Sequence, residues 1–102
     1  MVNPIPEGCI AYKRTAVFTE TTVPAGLLNR HSTKAGVWGK IVVEQGRLRY
    51  LVFEPEVSDM VLTPGEPGVA EPMQPHEVMP LGAVRFYIEF YRMATGERLG
   101  EG

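Results

Sequence analysis

This chain has one cysteine, no long apolar run and no surplus of positive charge. Cys9 alone cannot close an internal disulfide, so a disulfide-stapled secreted scaffold is excluded. No stretch approaches the roughly 20 apolar residues of a membrane-spanning helix. Lys plus Arg number 10 against 12 Asp plus Glu, a formal charge of −2. That balance provides neither the basic footprint of a nucleic-acid binder nor a polybasic membrane anchor. Met1 to Gly8 shows no charged segment followed by an apolar one, so no signal peptide is expected. A P-loop, a dinucleotide fingerprint, a nucleophile elbow and clustered cysteines are all missing. The expectation is a cytoplasmic, soluble domain with no nucleic-acid or membrane partner.

At 102 residues the chain has the length of one small domain, and 44% hydrophobic content argues against disorder. The 11 glycines and 9 prolines are spread throughout and cut the chain into strand-length pieces. Strands are expected at Ala11 to Phe18, Asp59 to Leu62, Val69 to Met73 and Val84 to Met93. A short one is expected within Gly26 to His31. Val37 to Glu44 and Arg47 to Glu54 read as a hairpin turning at Gln45-Gly46. Six or seven short antiparallel strands imply an all-β sandwich or small barrel over 11–93. Residues 1–10 form an N-terminal arm and 94–102 a polar, Gly-rich tail.

Strand side chains alternate between faces. Val84, Phe86, Ile88 and Phe90 share a core face, while Arg85, Tyr87, Glu89 and Tyr91 share the other. The two halves around Gly46 are apolar on both faces, which calls for cover on both. A second copy of the chain would supply it, so a homodimer is expected.

The chemistry-bearing residues are few. His31 and His76 are the two histidines, too far apart for a local zinc-finger spacing. By spacing alone each reads as a hydrogen-bonded loop residue, although a barrel could bring them together. Glu89 lies within Phe86-Tyr87-Ile88-Glu89-Phe90-Tyr91 and must face water, a cation or a metal, because an unpaired buried carboxylate is costly. Two imidazoles and one carboxylate can form a divalent-metal shell with open positions. Lys34 and Lys40 could favour an anion, although each also reads as a solvated lysine. Trp38 reads as a core or interface anchor.

The run His31-Ser32-Thr33-Lys34-Ala35-Gly36-Val37-Trp38-Gly39-Lys40-Ile41, followed by Gly46-Arg47-Leu48-Arg49-Tyr50, is distinctive. With Pro75-His76-Glu77-Val78 and Phe86 to Tyr91, it resembles the small cupin-like domain at the N-terminus of some TehB tellurite-resistance proteins, found alone in YeaR-like proteins. The resemblance runs from about Tyr12 to Tyr91. It implies a cupin-like double-stranded β-helix, a jelly-roll barrel holding one divalent metal ion (Zn, Ni, Mn or Fe). By this resemblance His31, His76 and Glu89 would be the ligands, and Lys40, Trp38, Tyr87 and Tyr91 would line the pocket. Water or a small anion or molecule would fill the open positions. The chain departs from the ordinary cupin pattern, because Ser32, Thr33 and Gly39 stand where a His-x-His pair and a glutamate would fall. No S-adenosylmethionine site is visible, so methylation is not expected of these residues.

The resulting reading is a metal-binding, stress-response domain with a possible oxyanion-related role. Open metal positions would permit Lewis-acid or oxygen chemistry. A metal-free dimerisation or ligand-sensing barrel is the alternative, and a carbohydrate-modifying cupin enzyme is a third. Whether the two histidines converge separates the first two.

Overall fold

The computed structural model describes residues 4–94. The part of the expected tail beyond Ala94 lies outside the described residues. The described chain is all-β, with one short 3-10 helix at Ala25–Leu28 where a strand was expected. The strands are β1 (Cys9–Arg14), β2 (Phe18–Thr19), β3 (Trp38–Val52), β4 (Ser58–Leu62), β5 (Gly68–Ala70) and β6 (His76–Met93).

Two long strands carry the architecture. β3 and β6 pair antiparallel from Trp38↔Tyr91 to Val52↔His76. Each recruits two short partners along its free edge. β5 and then β4 pair with successive parts of β3. β1 and β2 pair with successive parts of β6. All pairings are antiparallel, and the order β1-β6-β3-β4 leaves β1 and β4 as edges, so the sheet is not closed.

The expected hairpin at Gln45-Gly46 does not form, because β3 runs straight through it. The side-chain pattern itself resembles that of a turn. Gly39, Ile41 and Val43 are buried, at odd positions; Leu48, Tyr50 and Val52 are buried, at even positions. The alternation therefore changes phase near Gly46, as it would across a turn. Here a bulge causes it: the register against β6 shifts between Val43 and Gln45 and again between Gly46 and Leu48. Gly46 has φ +82°, and a Cβ there would collide with the Ala83 carbonyl oxygen. Only glycine fits a left-handed position with another backbone so close.

β6 likewise begins earlier than expected, at His76 rather than Val84, and it contains Pro80. Pro80 sits opposite Leu48 beside the register shift, and Gly82 follows with φ +91°. A proline at an irregularity in the ladder forfeits little hydrogen bonding. β4 forms close to its expected place, and β5 is a shorter version of the expected segment. The first expected strand divides into β1 and β2.

The core lies on one face of the long pair. Ile41, Val43, Leu48, Tyr50, Val78, Phe86 and Ile88 are buried there with Leu62 and Ala70. The Phe86 ring meets Phe18 edge-on at 5.7 Å. Burying a side chain of this size contributes about 1.5–3 kcal/mol.

Candidate functional site

His76 opens β6 and His31 lies in the segment after the 3-10 helix. The two residues bond backbone to backbone in both directions. The His31 amide donates to the His76 carbonyl at 2.9 Å, and the His76 amide to the His31 carbonyl at 2.8 Å. The flanking residues continue the contact. Thr33 Oγ1 donates to the Glu71 carbonyl at 3.0 Å, and the Met73 amide to the Thr33 carbonyl at 3.0 Å. This bridge brings the two imidazoles together, with centroids 4.2 Å apart and planes at 63°.

Both rings are oriented in the same way. His31 Nδ1 lies 2.8 Å from the Asn29 carbonyl oxygen, and His76 Nδ1 lies 2.8 Å from the Gln74 carbonyl oxygen. A carbonyl only accepts, so each Nδ1 carries the proton. In the neutral ring Nε2 is then left with its lone pair. His76 is only 3% exposed. Burial, opposed by the Gln74 hydrogen bond and helped by nearby His31, pushes its pKa down to about 4. It is therefore neutral at pH 7. Among the described residues no hydrogen-bond partner reaches either Nε2. A buried acceptor without a partner is uncommon and points to a ligand.

The imidazoles line a cavity of about 260 Å³. Ile41, Ala70, Ile88 and Phe90 from the core face form its wall, with Leu27 and Val37. Tyr12, Lys13, Ser32, Thr33 and Lys34 complete the lining, which contains no carboxylate among the described residues. Tyr12 and Lys13 are adjacent yet both border the cavity. β1 bulges between Ala11 and Lys13, which re-aims its side chains. No local residue pattern signals that bulge, so strand alternation alone does not place Lys13 beside Tyr12 at the cavity. Lys34, one of the two lysines expected either to favour an anion or to be solvated, also stands at the cavity.

The remaining expected site residues lie elsewhere. Glu89 falls between Ile88 and Phe90, so strand alternation turns it to the opposite face of β6. Its carboxylate accepts from Tyr91 Oη at 2.8 Å and from Arg14 at 3.2 Å. The Tyr91 hydroxyl, followed by Arg14, holds its pKa below the ordinary value. Glu89 is therefore not brought to the histidines. Tyr87, Tyr91, Lys40 and Trp38 share this outer face and do not line the histidine cavity. Tyr87 stacks under Arg14 at 4.3 Å. Trp38 pairs with Tyr91 across the two strands. Lys40 and Tyr91 border a different recess, against the arm from Pro4 to Cys9. Among the described residues no group of three His, Cys, Asp or Glu side chains is placed to hold a metal ion. No described helix is long and apolar enough to cross a membrane.

The sequence matches the TehB-like domain family over residues 13–88. Two Haemophilus influenzae proteins described as probable S-adenosyl-L-methionine-dependent methyltransferase TehB are 39% and 37% identical to it over 41 residues. Those matches cover 40% of this chain and only 14% of each relative. A crystal structure of TehB from Haemophilus influenzae superposes with a TM-score of 0.81 at 26% identity, over 93% of this chain and 35% of that one. A crystal structure of an Escherichia coli K12 protein gives a TM-score of 0.81 at 25% identity, over 88% of this chain and 96% of that one.

Proposed function

The chain belongs to the TehB-like domain family, and from that premise we propose that it is a small metal-binding domain in which His31 and His76 hold one divalent transition-metal ion. The observation that carries this reading is the state of the two rings. Each Nδ1 is tied to a carbonyl two residues upstream, which leaves two Nε2 atoms without partners beside one cavity. Carbonyl anchoring of the far nitrogen is the usual support for a metal-bound imidazole. The donor set suits Zn, Ni or Fe, and Mn less well, because imidazole favours the later metals. With only two protein ligands assigned, the remaining positions fall to water or a small anion. The bound ion would supply Lewis acidity, and this chain's own residues would hold the rings and shape the space around them. We read the two bent strands with their short partners as a shortened cupin-like double-stranded β-helix. The physiological role we assign is ligand binding in a stress response, with an oxyanion-related function as its TehB connection suggests.

Elemental analysis of purified, untagged protein tests the proposal. Near-stoichiometric metal is expected, falling to background in His31→Ala and His76→Gln while circular dichroism remains unchanged. His31→Ala serves as the safer variant, since that ring is only partly buried. Metal-free wild-type protein after growth and refolding with each metal, or full retention in both variants, would refute the assignment.

One observation favours a metal-free ligand-sensing module instead: no third ligand side chain joins the two histidines among the described residues. The same metal analysis decides between the two. The outer face, where Trp38, Val42, Tyr87 and Tyr91 are partly buried, supports the homodimer as part of the proposal. Light scattering should give twice the chain mass, and a monomer would remove it.

A further inference from the structure

Two of the chain's three lysines, Lys13 and Lys34, stand at the histidine cavity. Neither is in a salt bridge; the four described ion pairs all use arginines. No carboxylate lines the cavity among the described residues, so nothing there neutralises these cations. The Ser32 hydroxyl, next to His31, adds a donor with no described partner. The wall is of another kind: Ile41, Ala70, Ile88 and Phe90 present hydrocarbon. An inorganic oxyanion would satisfy the lysines and leave that wall facing water. A neutral apolar molecule would cover the wall and ignore the lysines. A ligand that matches both has an anionic head and a hydrocarbon body, as small-molecule sites with an apolar lining and a few placed polar groups require.

We infer that the cavity binds a monocarboxylate with a short hydrocarbon chain, its head at the Lys13 and Lys34 rim and its body against Ile41, Ala70, Ile88 and Phe90. The inference rests on the proposed site in that the ligand shares its cavity and its head could reach a bound ion. The affinity asserted here comes from rim and wall, and it does not require the ion.

Calorimetric titration with acetate, butanoate and hexanoate tests the inference, with hexan-1-ol and sulfate as comparisons. Each titration is run on chelated protein and on protein offered zinc. Affinity should rise about three- to fourfold per added methylene, as expected for buried hydrocarbon. Hexanoate should bind about tenfold more tightly than hexan-1-ol, a difference that shrinks with added salt. Lys13→Gln with Lys34→Gln should abolish the advantage over hexan-1-ol while leaving hexan-1-ol binding unchanged; both positions are exposed, so the fold should persist. Affinity independent of chain length, sulfate binding as tightly as hexanoate, or no hexanoate binding in either form would overturn the inference. Chain-length-dependent binding in protein that takes up no zinc would support the carboxylate reading and exclude zinc as the bound ion. Zinc uptake without chain-length dependence would refute the carboxylate reading alone.

Discussion

The inner and outer faces of the β3–β6 pair alternate residue by residue, yet different forces hold them. On the inner face, Phe86, Ile88 and Ile41 are buried in hydrocarbon, and the same face supplies the cavity wall and the neutral His76. On the outer face, Arg14 stacks on Tyr87 and bonds Glu89, which also accepts from Tyr91. The inner face leaves polar atoms without partners at the imidazole Nε2 positions. The outer face pairs the Glu89 carboxylate with its own Arg14 and Tyr91. A carboxylate already bonded to a tyrosine and an arginine is a poor candidate for a ligand, and an unpartnered buried imidazole is a good one. Residue type alone ranked Glu89 beside the histidines; the environment separates them.

The largest expected effect sharpens this contrast through stability. Phe86→Ala should lose about 3–5 kcal/mol in urea unfolding, as large core truncations do. Its sequence neighbour Tyr87→Ala should lose about 1 kcal/mol, the scale of an exposed cation–π contact. Equal losses would break the comparison.

A second effect separates the faces by pH. His76 has a folded pKa of about 4 against an ordinary 6.5, so the unfolded chain binds the proton more readily. The stabilisation from keeping the ring neutral is complete above pH 6.5 and is lost as pH falls towards 4, roughly 3 kcal/mol in all. Glu89 is shifted down from 4.5, so its contribution is present above that value and lost only as pH falls through its lower folded pKa. Chelated protein followed by urea unfolding across pH should therefore weaken first through the inner face. His76→Gln should flatten the slope between pH 6.5 and 4, and a slope unchanged by that variant would contradict the account.

The smallest effect belongs to the outer face alone. Glu89→Gln should cost less than about 1 kcal/mol, because Arg14 is more than half exposed. It should leave metal content at the wild-type level. Loss of metal in this variant would return Glu89 to the site.

The all-β class was legible because glycine and proline punctuate the chain at strand length and because alternation is clear in Val84 to Phe90. The alternation also placed Glu89 opposite Ile88 and Phe90, so the information that removes it from the histidine cavity was already present. What no local pattern disclosed is where the inner face leads. That depends on the His31–His76 backbone bridge, a contact between distant segments. The two long strands were missed for a related reason. A bulge and a hairpin both reverse the phase of alternation, and only pairing with a third segment tells them apart. Lys13 was hidden by the bulge at Tyr12, which suspends the rule that adjacent strand residues face apart.

The phase change near Gly46 makes the length of this stretch a matter of counting. With the bulge against β6 kept, losing one residue between Val43 and Leu48 would leave the two halves of β3 facing opposite ways. Leu48, Tyr50 and Val52 would then turn to solvent together, and Val52, the partner of His76, would present the wrong side to the imidazole. Evolutionary drift in length should therefore be found in the connections flanking this strand, and insertions or deletions of one residue should be purged from its middle.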